Sequence, residues 1–193
     1  ADGRARGAWR PTANGCTMGA GEFYCPVCRE QLVKLIYTMV DPIDRAHPAP
    51  HGSRSDEEYV VEGKELVLEV TAMQPANHTL EVQWWVFPEA DAPKPKIGSK
   101  GYGPYDKRRQ KAKREPGRLM PIEAKPAQKS KGKRDGEHEF KLKRSSVEPG
   151  RYRVICRVTD PVQLRGSRHP WVLKDDRGLL QSEVGWWVRV EEE

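Results

Sequence analysis

Cysteine is scarce in this chain of 193 residues, long apolar runs are missing, and the signatures of the common catalytic machineries are lacking. Four cysteines are too few for a disulfide-built scaffold. A chain of this length can bury one ordinary core, so one compact domain with an appendage is expected. No stretch approaches the ~20 apolar residues that cross a bilayer; Leu32–Val40, among the longest, is broken by Lys34 and Thr38. A helical membrane span is therefore excluded. The opening residues lack the apolar middle of a secretion signal and do not begin with Met, so a processed chain or a piece of a longer one is expected. There is no Gly-x-Ser-x-Gly nucleophile turn, no phosphate-cradling glycine loop, and no Cys beside an activating His.

What is present is unevenly spread. The net charge is +6, but Lys94 to Arg134 alone holds 15 basic and three acidic residues, a net of +12. The rest of the chain is therefore mildly acidic. The basic stretch also carries six prolines counted from Pro93 and five glycines, with no sustained apolar period, so it cannot bury enough surface to offset the entropy of ordering it. Residues at about 90–136 are read as a long solvated insertion. It is suited to weak polyanion contact by counterion release through 94–134, with Tyr102 and Tyr105 able to stack on bases.

Residues 1–24 are rich in Gly and Ala and look irregular, and with Cys16, Cys25 and Cys28 the start of the chain is its Cys-rich segment. From Pro26 the apolar spacing of three and four predicts a helix over 26–40, with Cys28, Leu32, Leu35, Ile36, Met39 and Val40 on one face. Pro26 suits a first turn and Asp41-Pro42 stops the run. Residues 45–55, rich in Pro and Ser, read as a linker. After Asp56 the period becomes two. Strands are expected at Glu57–Val61, Glu65–Ala72, Thr79–Phe87, Glu137–Lys143, Gly150–Asp160, Trp171–Lys174 and Glu183–Glu191. Short strands with turn residues and no helix between them predict a mainly β domain over 56–193, an antiparallel Ig-like β-sandwich preceded by the Cys-rich segment and one α-helix. The expected inward set includes Val67, Val70, Val82, Trp84, Val86, Tyr152, Val154, Cys156, Val158, Val184, Trp186, Val188 and Val190. Trp85 and Trp187 then face outward, one of them under the insertion or against the helix.

Cys16, Cys25 and Cys28 admit several chemistries. Three thiolates with His47 or His51 could close a structural zinc tetrahedron. Cys-Pro-x-Cys opening a helix could be a redox pair, its thiolate favoured by first-turn amides. Free thiols are a third option, best suited to Cys156 on its inward strand position. A local disulfide of Cys16 with Cys25 or Cys28 would pin the irregular segment to the helix start, with the remaining one free to pair with Cys156. The pairing is left open. Oxidised cysteines would place the chain in a secreted or extracytoplasmic compartment.

Trp9-Arg-Pro, followed by Cys16-Thr-Met18 and Phe23-Tyr-Cys-Pro-Val-Cys28, resembles the end of the catalytic domain in the IgA peptidase-like metallopeptidases, a metzincin-type family of secreted bacterial enzymes. The resemblance spans about residues 7–44. It implies that Met18 is the Met-turn methionine, that 26–40 is the closing helix, and that 1–44 ends a zinc-dependent catalytic domain. The β-rich remainder is similar to the Ig-like domain that can follow. The family's His-Glu-x-x-His helix, which holds zinc and activates water, is not in this chain; Gly136-Glu-His-Glu-Phe140 has one His on an expected strand. No catalytic or metal-ligating residue is assigned here. The expectation is a metallopeptidase fragment inactive alone, with zinc and the catalytic base in an upstream portion and a protein substrate for the full enzyme. A polyanion-binding module and a small zinc-stapled interaction protein are the alternatives. His47, His51, His78 and His169 are expected to be solvated, as are Asp175-Asp176 and Asp56-Glu57-Glu58; Asn77-His-Thr79 fits a glycosylation acceptor.

Overall fold

A computed structural model describes residues 26–37, 39–52, 55–76, 78–93, 122–131, 136–161 and 180–192. The chain is mainly β. Among the described residues one α-helix, α1 (Pro26–Tyr37), precedes eight strands: β1 (Ile43–His47), β2 (Tyr59–Val60), β3 (Glu65–Ala72), β4 (Glu81–Pro88), β5 (Gln128–Lys131), β6 (Glu137–Lys143), β7 (Gly150–Thr159) and β8 (Gln181–Val190). They form a three-stranded sheet in the order β1-β3-β6 and a five-stranded sheet in the order β2-β8-β7-β4-β5.

Period-two patterning explains why the sheets pair face to face. Leu68, Val70, Phe140 and Leu142 from the smaller sheet share one core with Val82, Trp84, Val154, Cys156, Val158, Trp186 and Val188 from the larger. Trp84 is its centre, stacked on Phe140 at 5.3 Å and on Trp186 at 5.7 Å between ring centroids. Gly136 enters β6 with φ +71, where a Cβ would lie 2.5 Å from the Ala72 carbonyl oxygen, so glycine is required at that turn.

Several expectations are corrected. Residues 43–47 form β1 rather than linker, because Ile43 is buried and Ala46 packs on the shared core. β5 lies inside the stretch read as solvated: Gln128–Lys131 pair with β4 despite their polarity, and Ala127 N donates to Trp84 O. The sheets are not wholly antiparallel, since β2 runs parallel to β8. In β3 the inward parity is Leu66, Leu68, Val70 and Ala72; Val67 is half-buried on the other face. The helix ends at Tyr37, and Val33, Tyr37 and Val40 face the sheets while Leu32, Leu35, Ile36 and Met39 are exposed. Residues 1–25, most of the basic insertion and Trp171–Lys174 lie outside the described residues.

Candidate functional site: the strapped outer face of the larger sheet

Outward positions of β4, β7 and β8 carry Trp85, Arg151, Arg153, Arg157, Glu183, Trp187 and Arg189. Trp187 lies opposite Arg153 in the β7–β8 register. Arg151 and Arg153 both place their guanidinium groups over its ring, 4.5 and 5.1 Å from the centroid, and Arg157 lies 5.7 Å from the Trp85 ring. Stacking of this kind suits arginine, whose planar, weakly hydrated cation lies well on an aromatic face. Trp85 and Trp187 point outward as expected yet are buried. The Trp85 indole donates to Ala124 O, so residues N-terminal to β5 cover it.

The charges are paired. Arg151 contacts Glu58 at 2.9 Å and Glu89 at 2.7 Å, Arg157 contacts Glu183 at 2.6 Å, and Arg189 contacts Glu58. Glu58 is therefore no solvated turn charge but the carboxylate between two arginines. Burial lowers the Arg153 pKa to about 10, with Arg151 adding to the effect and Glu183 opposing it. It remains charged at neutral pH.

The segment joining β1 to β2 is a strap held by its own carbonyls, first to the core-side Trp186 and Tyr59 and then to the outer-face Arg153 and Arg151. Trp186 Nε1 donates to Pro48 O at 2.7 Å, Tyr59 Oη to Ala49 O at 3.1 Å, Arg153 Nη2 to His51 O at 3.0 Å, and Arg151 Nη2 to Ser55 O at 2.9 Å. Each buried donor thereby finds an acceptor that proline-rich backbone still offers. His51 is the clasp: its backbone N donates to Gly185 O at 2.9 Å, its Nδ1 accepts from Trp187 N at 3.1 Å, and its ring stacks on Tyr59. Burial lowers the His51 pKa, and Arg153 and Arg151 add to this against Glu57 and Glu58.

A histidine held below its unfolded pKa binds fewer protons in the folded state than in the unfolded one across that interval. Its contribution is complete above the unfolded value of about 6.5 and declines as pH falls through it. Unfolding free energy is expected to drop from about pH 7.5 to about pH 5.5 more in the parent than in His51→Asn, whose amide oxygen accepts without titrating. Denaturant melts at the two pH values check this, and equal slopes would refute the clasp.

The sequence-derived candidates are scattered. Met18, Cys16 and Cys25 lie outside the described residues, as do His169 and Asp175-Asp176. Cys28 sits half-buried in the first turn of α1. Cys156 is fully buried in the core as a free thiol, as the inward strand position suggested, and the alternative in which it pairs with another cysteine is not met. Burial pushes its pKa up. It is expected to resist thiol reagents in the native protein and to react fully only after denaturation, read by a timed thiol titration. His47 is exposed at the end of β1, His78 bonds Asp160, and His138 is buried beside Ser130, so His51, His78 and His138 are structural rather than solvated. No three His, Cys, Asp or Glu among the described residues converge as a metal site.

Sequence reasoning missed the Arg151/Arg153/Trp187 stack and the Asp160 cluster. The alternation of arginines at 151, 153 and 157 with core residues between them was the available signal for the stack. Comparison with known proteins returned no matching family model, curated protein or solved structure.

Proposed function

We propose that this chain is the carboxy-terminal part of a secreted zinc metallopeptidase. Residues before β1 end its catalytic domain, and the two sheets, β1 included, form an Ig-like accessory module. The observation that carries this reading is α1. It begins inside the Cys-Pro-Val-Cys string and, with the turn that follows it, sets Val33, Tyr37 and Val40 against the sheets and leaves Leu32, Ile36 and Met39 exposed at 43%, 41% and 74%. An apolar stripe on the far side of a docked helix suits an element that also closes a second body. The Ig-like reading is supported by the sheet order and by Tyr152, whose hydroxyl donates to Glu148 O at the start of β7 as in a tyrosine corner.

The described residues do not fit a catalytic zinc, since their histidines serve the fold and no donor set converges. The zinc ligands and the water-activating Glu belong, in this reading, to the upstream portion. The test is to read the gene upstream and purify the extended protein. A His-Glu-x-x-His within about 100 residues, stoichiometric zinc, and peptide cleavage abolished by replacing that Glu are expected. Cleavage by the purified 193-residue chain, or no such motif upstream, overturns it.

A second reading draws on two exposed lysines, Lys125 on the segment that leads into edge strand β5 and Lys129 within that strand. Affinity for heparin that falls steeply with salt and disappears on removing residues 94–121, which spares β5, would favour polyanion binding. Salt-independent retention would dispose of it.

A further inference from the structure

Asp160 follows β7, and its carboxylate is nearly withdrawn from water, at 3% side-chain exposure. A carboxylate is buried at this depth only where donors compensate its lost hydration. Tyr37 Oη donates to Oδ2, His78 Nε2 lies 2.7 Å from Oδ1, and the Asp160 backbone N donates to Leu180 O at 2.8 Å. The Asp160 carboxylate thus joins the last residue of α1 to the connection between β3 and β4, and its backbone ties both to the residue before β8. Around it Tyr37 and Leu180, with Val33, Val40 and Met73, form a small apolar cluster. No α1 residue belongs to the main core.

We infer that the Asp160 carboxylate is the joint that docks α1 on the sheets, and that α1 comes away as a unit when that joint is broken while the two sheets stay folded. Twelve residues are too few for a helix to persist alone in water, so release and unfolding of α1 are one event. The main core is complete without it, so the event is local. The inference stands independently of the metallopeptidase reading; within that reading, the joint sets how the accessory sheets sit on the catalytic part.

Hydrogen exchange of the full 193-residue chain tests it, comparing Tyr37→Phe, Asp160→Asn, His78→Ala and His78→Gln. Tyr37→Phe removes one oxygen and keeps the ring, so folding is retained even where Asp160→Asn fails. Amides of residues 30–37 are expected to exchange at least about tenfold faster in Tyr37→Phe and His78→Ala, the factor one hydrogen bond to a charged group supports. Those of β4, β7 and β8 should change less than about twofold. His78→Gln, which keeps a donor at the position of Nε2, should behave as the parent. Unchanged α1 exchange in Tyr37→Phe, or equal acceleration of α1 and the strands, overturns the inference.

Discussion

Trp84→Ala is expected to lower the unfolding free energy by about 3–5 kcal/mol, the largest effect of any single truncation in this chain. The indole is fully buried and its ring stacks on both Phe140 and Trp186, so its removal opens a void between the two sheets. Neither neighbour can fill that void without breaking β6 or β8 pairing, because each projects from a paired strand. The indole nitrogen is itself buried without an acceptor, which carries a desolvation cost of about 1–3 kcal/mol. Trp84→Phe removes that orphan donor along with some volume, and is expected to cost less than half as much as Trp84→Ala. Urea melts of the three proteins decide the matter. A loss below about 1 kcal/mol for Trp84→Ala would mean that the sheets do not share a core at this residue.

That Trp84 faces inward was legible in the sequence because its neighbours alternate cleanly. Val82, Trp84 and Val86 share one parity, as do Tyr152, Val154, Cys156 and Val158. The bounds of β3 and β6 were legible to the residue, but the inward face of β3 was not, because Leu66, Val67 and Leu68 are consecutive apolar residues that hide its parity. The failures have a common physical origin. β1 and β5 are short edge strands, IDRAH and QKSK, whose polar composition protects an edge and conceals the period. Their order comes from pairing with β3 and β4, which no local pattern reports. The helix face was misjudged because Leu32, Leu35, Ile36 and Met39 form the better apolar stripe, yet Tyr37 has a polar tip and a buried carboxylate waiting for it. Sequence distance hides that pair, which is 123 residues apart. The strap was hidden likewise: its prolines suggest a linker, and only the arginines of β7 and the indole of Trp186 show what its carbonyls bind.

Gly185→Ala is expected to be the most damaging small substitution on the outer face. A Cβ at Gly185 would lie 2.8 Å from Arg153 Nη2 and 3.0 Å from both Cζ and Nε, so the end of the Arg153 side chain must shift. Three contacts are disturbed by that shift: the stack on Trp187, the bond to His51 O, and the long bond to Gly52 O. Arg153 is only 8% exposed, so its charge has no ready route to water, and the carbonyls it served lose their donor. Gly185 O also receives the His51 amide, so the strap is loosened from both sides. Overpacking of this kind costs about 1–3 kcal/mol, with further loss from the stranded charge. The double variant Gly185→Ala/Arg153→Ala separates the two terms. If the clash with the guanidinium is the cause, adding Gly185→Ala to an Arg153→Ala background should cost under about 0.5 kcal/mol, whereas in the parent it costs the full amount. Equal cost in both backgrounds would place the damage in the β8 backbone and remove the guanidinium from the account.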